Sequence, residues 1–349
     1  MSLGPLMVDI AGTALAPEDR EVLAHPLVGS VILFTRNYVD PAQLAALIRD
    51  IHAVRSPPLL VAVDHEGGRV QRFRAGFSAL PPLRRIGQAY DADSRTGLAM
   101  AQSLGWLMAA ELLACGVDFS FAPCVDLEYS LSEIIGDRAL HADGATVAQL
   151  ALAYMQGMRT AGMAATAKHF PGHGAVVADS HLALPVDRRD LVDMEEDLRP
   201  YRLLIANGLP AVMVAHVLYP AFDSRPASFS HRWIGEVLRG EMQFGGAVFA
   251  DDLTMKGAAI IGDLTARAQA AAAAGCDVLP VCNDRPGLIR LLDTWHPPID
   301  AASQLRLVRM RGRHSGDLET LYASSAWQSA RQWLERANAK PELRLDTGG

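Results

Sequence analysis

Short apolar runs alternate with longer amphipathic segments along most of the chain. Eight runs are rich in Val, Ile, Leu and Phe and are continuously apolar, which is typical of strands buried on both faces of a parallel sheet. These runs lie at 5–10, 28–34, 59–64, 116–123, 162–170, 210–216, 246–252 and 276–281.

The segments between the runs have helical periodicity. Asp40 and Pro41 are typical of an N-cap and a first helical position, and they predict a helix to about Arg55. Further helices are predicted near 94–114, 145–161, 188–207, 230–240, 264–274, 285–294 and 318–338. Eight strands alternating with helices predict an α/β fold, a single (β/α)8 TIM-like barrel. A doubly wound sheet is the alternative, but no G-x-G-x-x-G follows the first strand.

Nothing in the sequence divides the 349 residues into separate domains. We predict one domain over 1–349, with the barrel at about 5–295, C-terminal helices at about 300–338 and a frayed tail at 339–349. Apolar residues make up 50% of the chain and charged residues 20%, which excludes a disordered protein.

Charge and hydropathy restrict the partners. With 32 Lys and Arg against 39 Asp and Glu, the net charge is -7, which argues against a nucleic-acid partner. We interpret the one basic cluster, at 306–313, as a solvated face. The N-terminus has no basic segment typical of a signal peptide, and Gly208, Pro210 and Pro220 interrupt the uncharged stretch at 203–222. We therefore expect a cytoplasmic protein without membrane insertion, and a monomer.

Polar side chains follow nearly every predicted strand. A barrel presents the carboxyl ends of its strands at one mouth, so these side chains are expected to converge. Any single one has a simpler interpretation as a helix cap or a surface residue. In order, they are Asp9, Arg36, Asn37, Asp64, His65, Glu66, Asp126, Lys168, His169, His216, Asp251, Asp252, Asn283 and Asp284.

Four segments carry the candidate chemistry: VDHEGGRVQR (63–72), GDRALHAD (136–143), KHFPGHG (168–174) with DSH (179–181), and FADDLTMKGA (249–258). Asp179 stands two residues before His181, where a carboxylate orients an imidazole. Neighbouring strand residues point to opposite faces, so at most one of Asp251 and Asp252 faces the mouth directly. Pro171 and Gly172 separate His169 from His173, and we predict neither a metal nor an organic cofactor.

The chain resembles glycoside hydrolase family 3, and within it the bacterial β-N-acetylglucosaminidases of peptidoglycan recycling. The resemblance covers about 5–295 and rests on the order of VDHEGGRVQR, KHFPGHG with DSH, and DDLTMKG. It implies retaining hydrolysis of terminal β-1,4-linked N-acetylglucosamine from anhydro-muropeptides, with or without their peptide.

The same resemblance implies the site residues. Asp251 would be the nucleophile, His181 the acid/base and Asp179 its partner. The sugar-binding positions would be Asp64, Arg72, Arg138, Lys168 and His169. Retaining hydrolysis needs an attacking carboxylate and a proton donor that later serves as base, and the ordinary histidine pKa of about 6.5 suits that donor. A metal-dependent hydrolase on the same barrel and a non-catalytic sugar-binding barrel are the alternatives.

Overall fold

Parallel strands form the centre of the fold in the computed structural model, which describes residues 3–132, 134–177, 184–298, 300–314 and 316–339. The described residues form ten strands, and eight of these strands coincide with the eight predicted apolar runs. They are β1 (Leu6–Val8), β2 (Val28–Leu33), β3 (Leu60–Val63), β4 (His65–Gly67), β5 (Val70–Gln71), β6 (Phe119–Ser120), β7 (Thr166–Phe170), β8 (Ala211–Val214), β9 (Ala247–Ala250) and β10 (Leu279–Val281).

The eight strands other than β4 and β5 are parallel and neighbour one another in the order expected of a barrel. One parallel sheet has the order β10-β1-β2-β3-β6, and a second has the order β7-β8-β9. Two isolated parallel bridges connect these sheets, Cys124 with Lys168 on one side and Phe249 with Val278 on the other. The α/β barrel predicted from the sequence is therefore confirmed. Strands β4 and β5 form a separate antiparallel hairpin at its carboxyl end.

Helices cover the outside of the barrel. Several begin at an aspartate whose carboxylate accepts a backbone N–H of the first turn, as Asp40 does from Gln43. The helices are α1 (Pro17–Ala24), α2 (Pro41–Ala53), α3 (Arg84–Ala92), α4 (Ser94–Ala114), α5 (Gly144–Ala161), α6 (Glu195–Ala206), α7 (Leu264–Ala274), α8 (Arg285–Thr294), α9 (Ala301–Val308), α10 (Leu318–Ala323) and α11 (Ser325–Asn338), with a π-helical segment at Arg232–Glu241.

Two helical predictions need correction, and two further helices are present that the sequence pattern did not predict. The helix predicted over 188–207 begins only at Glu195, because Asp187 and Asp190 bond to nearby backbone N–H groups and hold the preceding chain in turns. The helix predicted over 318–338 is two, since Ser324 leaves the helical conformation and caps α11. Helices α1 and α3 were not predicted, because each is largely polar and buries only a few side chains. Of the tail predicted at 339–349, residues 340–349 lie outside the described residues.

Helix α4 is long and apolar enough to cross a membrane by length and composition, and 61% of its most apolar window is buried inside the fold. It packs between α3, α5 and α11. Its Glu111 is buried and accepts hydrogen bonds from the Ser78 hydroxyl and the Trp327 indole. Packing in the protein interior therefore accounts for the hydrophobicity of this helix.

Two buried aspartates lie at the amino ends of the strands, the opposite end of the barrel from the hairpin. Asp118 accepts the backbone N–H groups of Val61 and Gly312 and pairs with Arg311 at 3.2 Å. Asp277 pairs with Arg306 at 2.7 Å and Arg239 at 2.9 Å. The prediction of a solvated basic face is thus wrong for Arg306 and Arg311, while Arg309 and Arg313 are exposed.

Replacing Asp118 with alanine is expected to lower the free energy of unfolding by about 3–5 kcal/mol, because the buried backbone N–H groups of Val61 and Gly312 lose their acceptor and Arg311 loses its counterion. Burial alone would raise the pKa of Asp118, but His314, His52 and Arg311 outweigh it and hold that pKa well below its ordinary value. The stabilisation is therefore complete above the ordinary aspartate pKa of about 3.9 and decreases as the pH falls below it.

Urea unfolding at pH 7 and at pH 3 measures this effect. The difference in the free energy of unfolding between wild type and Asp118→Ala should be smaller at pH 3 than at pH 7. Asp50→Ala is the control, since Asp50 forms its ion pair with Arg20 at the exposed surface. Equal shifts in both variants, or a difference that does not change with pH, would contradict the prediction.

Candidate active site

The carboxyl ends of the strands surround a cavity of about 370 Å³, a volume in the range of small-molecule sites. Six of the predicted site residues line it, namely Asp64, Arg72, Arg138, Lys168, His169 and Asp251. The structure therefore brings together residues that are up to 187 positions apart in the sequence, from Asp64 to Asp251. The other two predicted residues, Asp179 and His181, lie outside the described residues.

The β4–β5 hairpin places Asp64 and Arg72 beside each other. Asp64 directly precedes the hairpin and Arg72 directly follows it. The turn requires glycine at Gly67, where φ is +121° and a Cβ atom would lie 2.3 Å from the carbonyl oxygen of Pro81. The Nε of Arg72 is buried and has no hydrogen-bond partner among the described residues, while its Nη2 lies 3.7 Å from Asp64.

Lys168 is the centre of a buried ionic network. Its Nζ donates to Asp64 at 2.8 Å and lies 2.6 Å from Glu66. Burial alone would raise the pKa of Asp64, but Lys168 and Arg72 outweigh it and hold that pKa below its ordinary value. Burial would lower the pKa of Lys168, but the two carboxylates raise it overall. The network is therefore fully charged at neutral pH and presents fixed donors and acceptors, which suit a ligand rich in hydroxyl groups.

Glu66 is one of the polar residues expected at the strand ends, but it was not predicted as a site residue. It is 2% exposed and accepts two hydrogen bonds from the Arg138 guanidinium, at 2.9 and 2.8 Å. The signal was available in the sequence, because Glu66 stands two residues after Asp64 and residues at that spacing share a face in extended chain. Glu66 orients both Arg138 and Lys168 toward the cavity they line.

His169 is held by a second buried carboxylate that was not predicted as a site residue. Asp126 is 1% exposed and lies 2.7 Å from Nδ1 of His169. It also accepts the backbone N–H of His169 and, at 2.7 Å, that of His173. Burial would raise the pKa of Asp126, but His169 and His173 hold it well below its ordinary value. Asp126 therefore fixes the His169 ring and the start of the following loop.

The adjacent acids after β9 have different surroundings. Both line the cavity, but the Asp252 carboxylate accepts hydrogen bonds from the Thr254 backbone, the Thr254 hydroxyl and the Cys282 backbone at 2.8–3.2 Å. Burial raises the pKa of Asp252 to about 6. A carboxylate whose oxygens already accept three hydrogen bonds is a poor nucleophile, which favours Asp251 for attack.

His216 supports the turn that carries these acids. It is fully buried, with Nε2 3.0 Å from the backbone oxygen of Asp252 and Nδ1 2.6 Å from the Ser228 hydroxyl. Burial lowers the pKa of His216. The neutral ring therefore donates through Nε2 to Asp252 and accepts from Ser228, a structural rather than a ligand-binding role.

The remaining strand-end residues form the rim or cap the fold. Asp9 pairs with Arg36 and accepts the backbone N–H of Asn283 at 3.1 Å. Asn37 is buried and donates to two backbone carbonyl oxygens. Asp284 is the N-cap of α8. About half of the polar residues predicted to converge at the mouth of the barrel therefore do so.

One trio of possible metal ligands lies beside the cavity. The ligand atoms of Cys124, Asp126 and His169 lie within 4.8 Å of one another. Burial raises the pKa of the Cys124 thiol far above its ordinary value, whereas a metal binds the thiolate. Asp126 and His169 are already hydrogen-bonded to each other. Asp126 is therefore better suited to position the His169 ring than to bind a metal together with it.

Replacing Glu66 with glutamine is expected to reduce kcat/KM for a sugar substrate by about 10²-fold, because Arg138 and Lys168 lose the shared charge that positions them. The matched control is Glu195→Gln, which removes the same charge at an exposed ion pair with Arg202. Steady-state kinetics should show the loss mainly in KM, while the melting temperature verifies folding. A Glu66→Gln enzyme with normal KM would contradict a positioning role.

Residues 6–304 match the glycosyl hydrolase family 3 N-terminal domain. The chain belongs to glycoside hydrolase family 3. A β-hexosaminidase of Methylobacillus flagellatus is 52% identical over 324 residues, covering 92% of this chain and 93% of the relative. One from Thioalkalivibrio sulfidiphilus is 51% identical over 346 residues, covering 99% and 100%.

Solved structures of family 3 members agree with this assignment. The crystal structure of NagZ from Neisseria gonorrhoeae, in complex with N-trifluoroacetyl-D-glucosamine, superposes with a TM-score of 0.92 at 40% identity. The superposition covers 97% of this chain and 99% of that one. This family 3 chain is therefore a glycoside hydrolase of the β-hexosaminidase type.

Proposed function

We propose that this family 3 hydrolase is a retaining exo-β-N-acetylglucosaminidase that acts on anhydro-muropeptides in the cytoplasm. One observation carries the proposal: a single cavity sized for a small sugar combines the buried Asp64–Lys168–Glu66–Arg138 network with Asp251. Fixed charged groups of both signs match the hydroxyls of a terminal sugar. Asp251 supplies the carboxylate that attack at the anomeric carbon requires.

The proposed reaction has two steps. In the first, an Asp251 oxygen bonds to the anomeric carbon, the glycosidic C–O bond breaks, and His181 protonates the departing oxygen. In the second, His181 removes a proton from water, the water oxygen bonds to the anomeric carbon, and Asp251 is released. Two inversions give net retention. The roles of His181 and Asp179 rest on the family resemblance.

Release of nitrophenol from a panel of nitrophenyl glycosides tests the activity. The β-N-acetylglucosaminide should be hydrolysed, with the β-glucoside and the α-anomer as controls. Proton NMR during turnover should show the β-anomer of N-acetylglucosamine first. Initial formation of the α-anomer would exclude retention, and activity lost on chelation and restored by zinc would favour the metal-dependent alternative.

The natural substrate needs a separate test. N-acetylglucosaminyl-anhydro-N-acetylmuramic acid, with and without its peptide, should be cleaved to N-acetylglucosamine and anhydro-N-acetylmuramic acid, which keeps the peptide where one is present. Both products are detectable by mass spectrometry. An internal N-acetylglucosamine in a longer glycan should survive, because only terminal residues are removed by exo action. Cleavage within longer glycans would contradict the exo assignment while leaving the glycosidase itself intact.

A further inference from the structure

A second cavity, of about 350 Å³, lies at the other end of the barrel. We call it the basal pocket. Its wall includes Ala165, which precedes β7, and Pro210, which precedes β8. The basal pocket thus lies at the amino ends of the strands, whereas the sugar cavity lies at their carboxyl ends. The two cavities share no lining residue.

Four arginines line the basal pocket, Arg159, Arg309, Arg311 and Arg313, and no acidic side chain among the described residues does. Arg311 is neutralised by Asp118. Arg159 and Arg309 are exposed, and their side chains form no ion pair or hydrogen bond with any residue that the structure describes. In a chain of net charge -7, this is a local excess of about three positive charges around one cavity.

Part of the arginine excess compensates helix ends. The basal pocket lies at the carboxyl ends of α5 and α6, where backbone carbonyls carry partial negative charge. The Arg313 guanidinium donates to the carbonyl oxygen of Arg159 at 3.4 Å. That single long hydrogen bond leaves most guanidinium N–H groups of Arg313 for another acceptor. Arg309 makes no such contact among the described residues.

The rest of the wall is apolar. Met155 and Met163 are buried at 3% and 2% exposure, and Pro210 and Val308 complete this side. Methionine side chains adapt to ligands of different shape. Guanidinium groups bind carboxylates, phosphates and sulfonates through paired N–H donors. An occupant that satisfies both parts of the wall has an apolar body and one anionic group.

We propose that the basal pocket binds a small amphiphilic anion, with an aromatic or branched aliphatic body against the methionines and its charged group between Arg309, Arg313 and Arg159. The cavity volume lies at the lower end of the range for small-molecule sites. Binding there is independent of the sugar cavity at the other end of the barrel.

Anilinonaphthalene sulfonate is a suitable probe, because it joins an aromatic body to one sulfonate and fluoresces in apolar surroundings. Titrations with the full chain, in saturating N-acetylglucosamine to occupy the sugar cavity, should show one saturable site. The double variant Arg309→Ala/Arg313→Ala should bind the probe more weakly, with a dissociation constant raised about tenfold or more. The uncharged analogue phenylnaphthylamine should bind weakly, with no difference between wild type and variant.

The control is Arg95→Ala/Arg290→Ala, which removes two exposed arginines from α4 and α8 and should leave the affinity unchanged. The single variant Arg309→Ala is a second test that does not disturb the hydrogen bond of Arg313. Absence of a saturable site, or equal affinity in wild type and both basal variants, overturns the proposal. A lower melting temperature of Arg309→Ala/Arg313→Ala with unchanged affinity for the probe also overturns the proposal, because the arginines would then only stabilise the helix ends.

Discussion

Replacing Asp251 with asparagine is expected to reduce kcat/KM for the nitrophenyl N-acetylglucosaminide by about 10⁴-fold or more, the scale on which hydrolases lose activity without their nucleophile. The expected cause is loss of the covalent intermediate, since an amide oxygen does not attack the anomeric carbon effectively. Asparagine keeps the size of the side chain and an acceptor for the Asp252 backbone N–H, now bonded to Asp251 at 2.9 Å. The variant should therefore fold normally.

Asp252→Asn is the matched control for the adjacent acid. It should lose much less activity, about 10²-fold or below, because Asp252 holds Thr254 and Cys282 rather than attacking the sugar. A 5-fluoro analogue of N-acetylglucosamine with an activated leaving group should label one peptide near 246–256. A label on Asp252, or a reversed order of the two losses, would show that the neighbouring acids have been assigned the wrong way round.

Replacing His181 with alanine should reduce glycosylation on the natural linkage by about 10²–10⁴-fold, the usual contribution of a general acid. The loss should be smaller for a nitrophenyl leaving group, because nitrophenolate departs without a proton while a sugar alkoxide does not. His296→Ala, which removes an exposed histidine, should leave both rates unchanged.

The second step gives an independent measurement. Without His181 as base, water attacks slowly, so the glycosyl-enzyme should accumulate with activated substrates and give a burst of nitrophenol. Azide needs no deprotonation and should restore part of the turnover as the glycosyl azide. Asp179→Ala should show the same pattern more weakly. Equal losses for both leaving groups at glycosylation would mean that His181 only binds sugar or packs its loop.

The strands and the residues that end them could be predicted from the sequence because each depends on local patterns. Continuous apolar runs identify buried parallel strands. Lys168 and His169 lie in the last part of β7, and Asp251 directly follows β9. The predicted run at 116–123 reduces to β6 at Phe119–Ser120, since Pro123 has no backbone N–H to continue a ladder. The exact ends of a strand depend on the neighbouring strands with which it pairs, and the hydrophobic pattern of one segment does not identify those neighbours.

The buried supports of the site were harder to predict. Asp126 bonds to His169 and His173, which come from the next strand and its loop. Glu66 bonds to Arg138, 72 residues later in the chain. An isolated acid in the sequence gives no indication of which distant cation it will meet, so such pairs become visible only when the barrel brings the loops together.

The ion pairs at the amino ends of the strands also set a limit on where this chain can be shortened. The family match ends at residue 304, yet the partners of Asp277 and Asp118 include Arg306, Arg311 and Gly312 just beyond it. A chain cut at the family boundary would keep every residue that lines the sugar cavity. It would take Arg311 from Asp118 and leave Asp277 with Arg239 as its one arginine partner among the described residues. The catalytic unit and the folding unit therefore have different ends, and the shortest stable version of this enzyme must include the segment through Gly312.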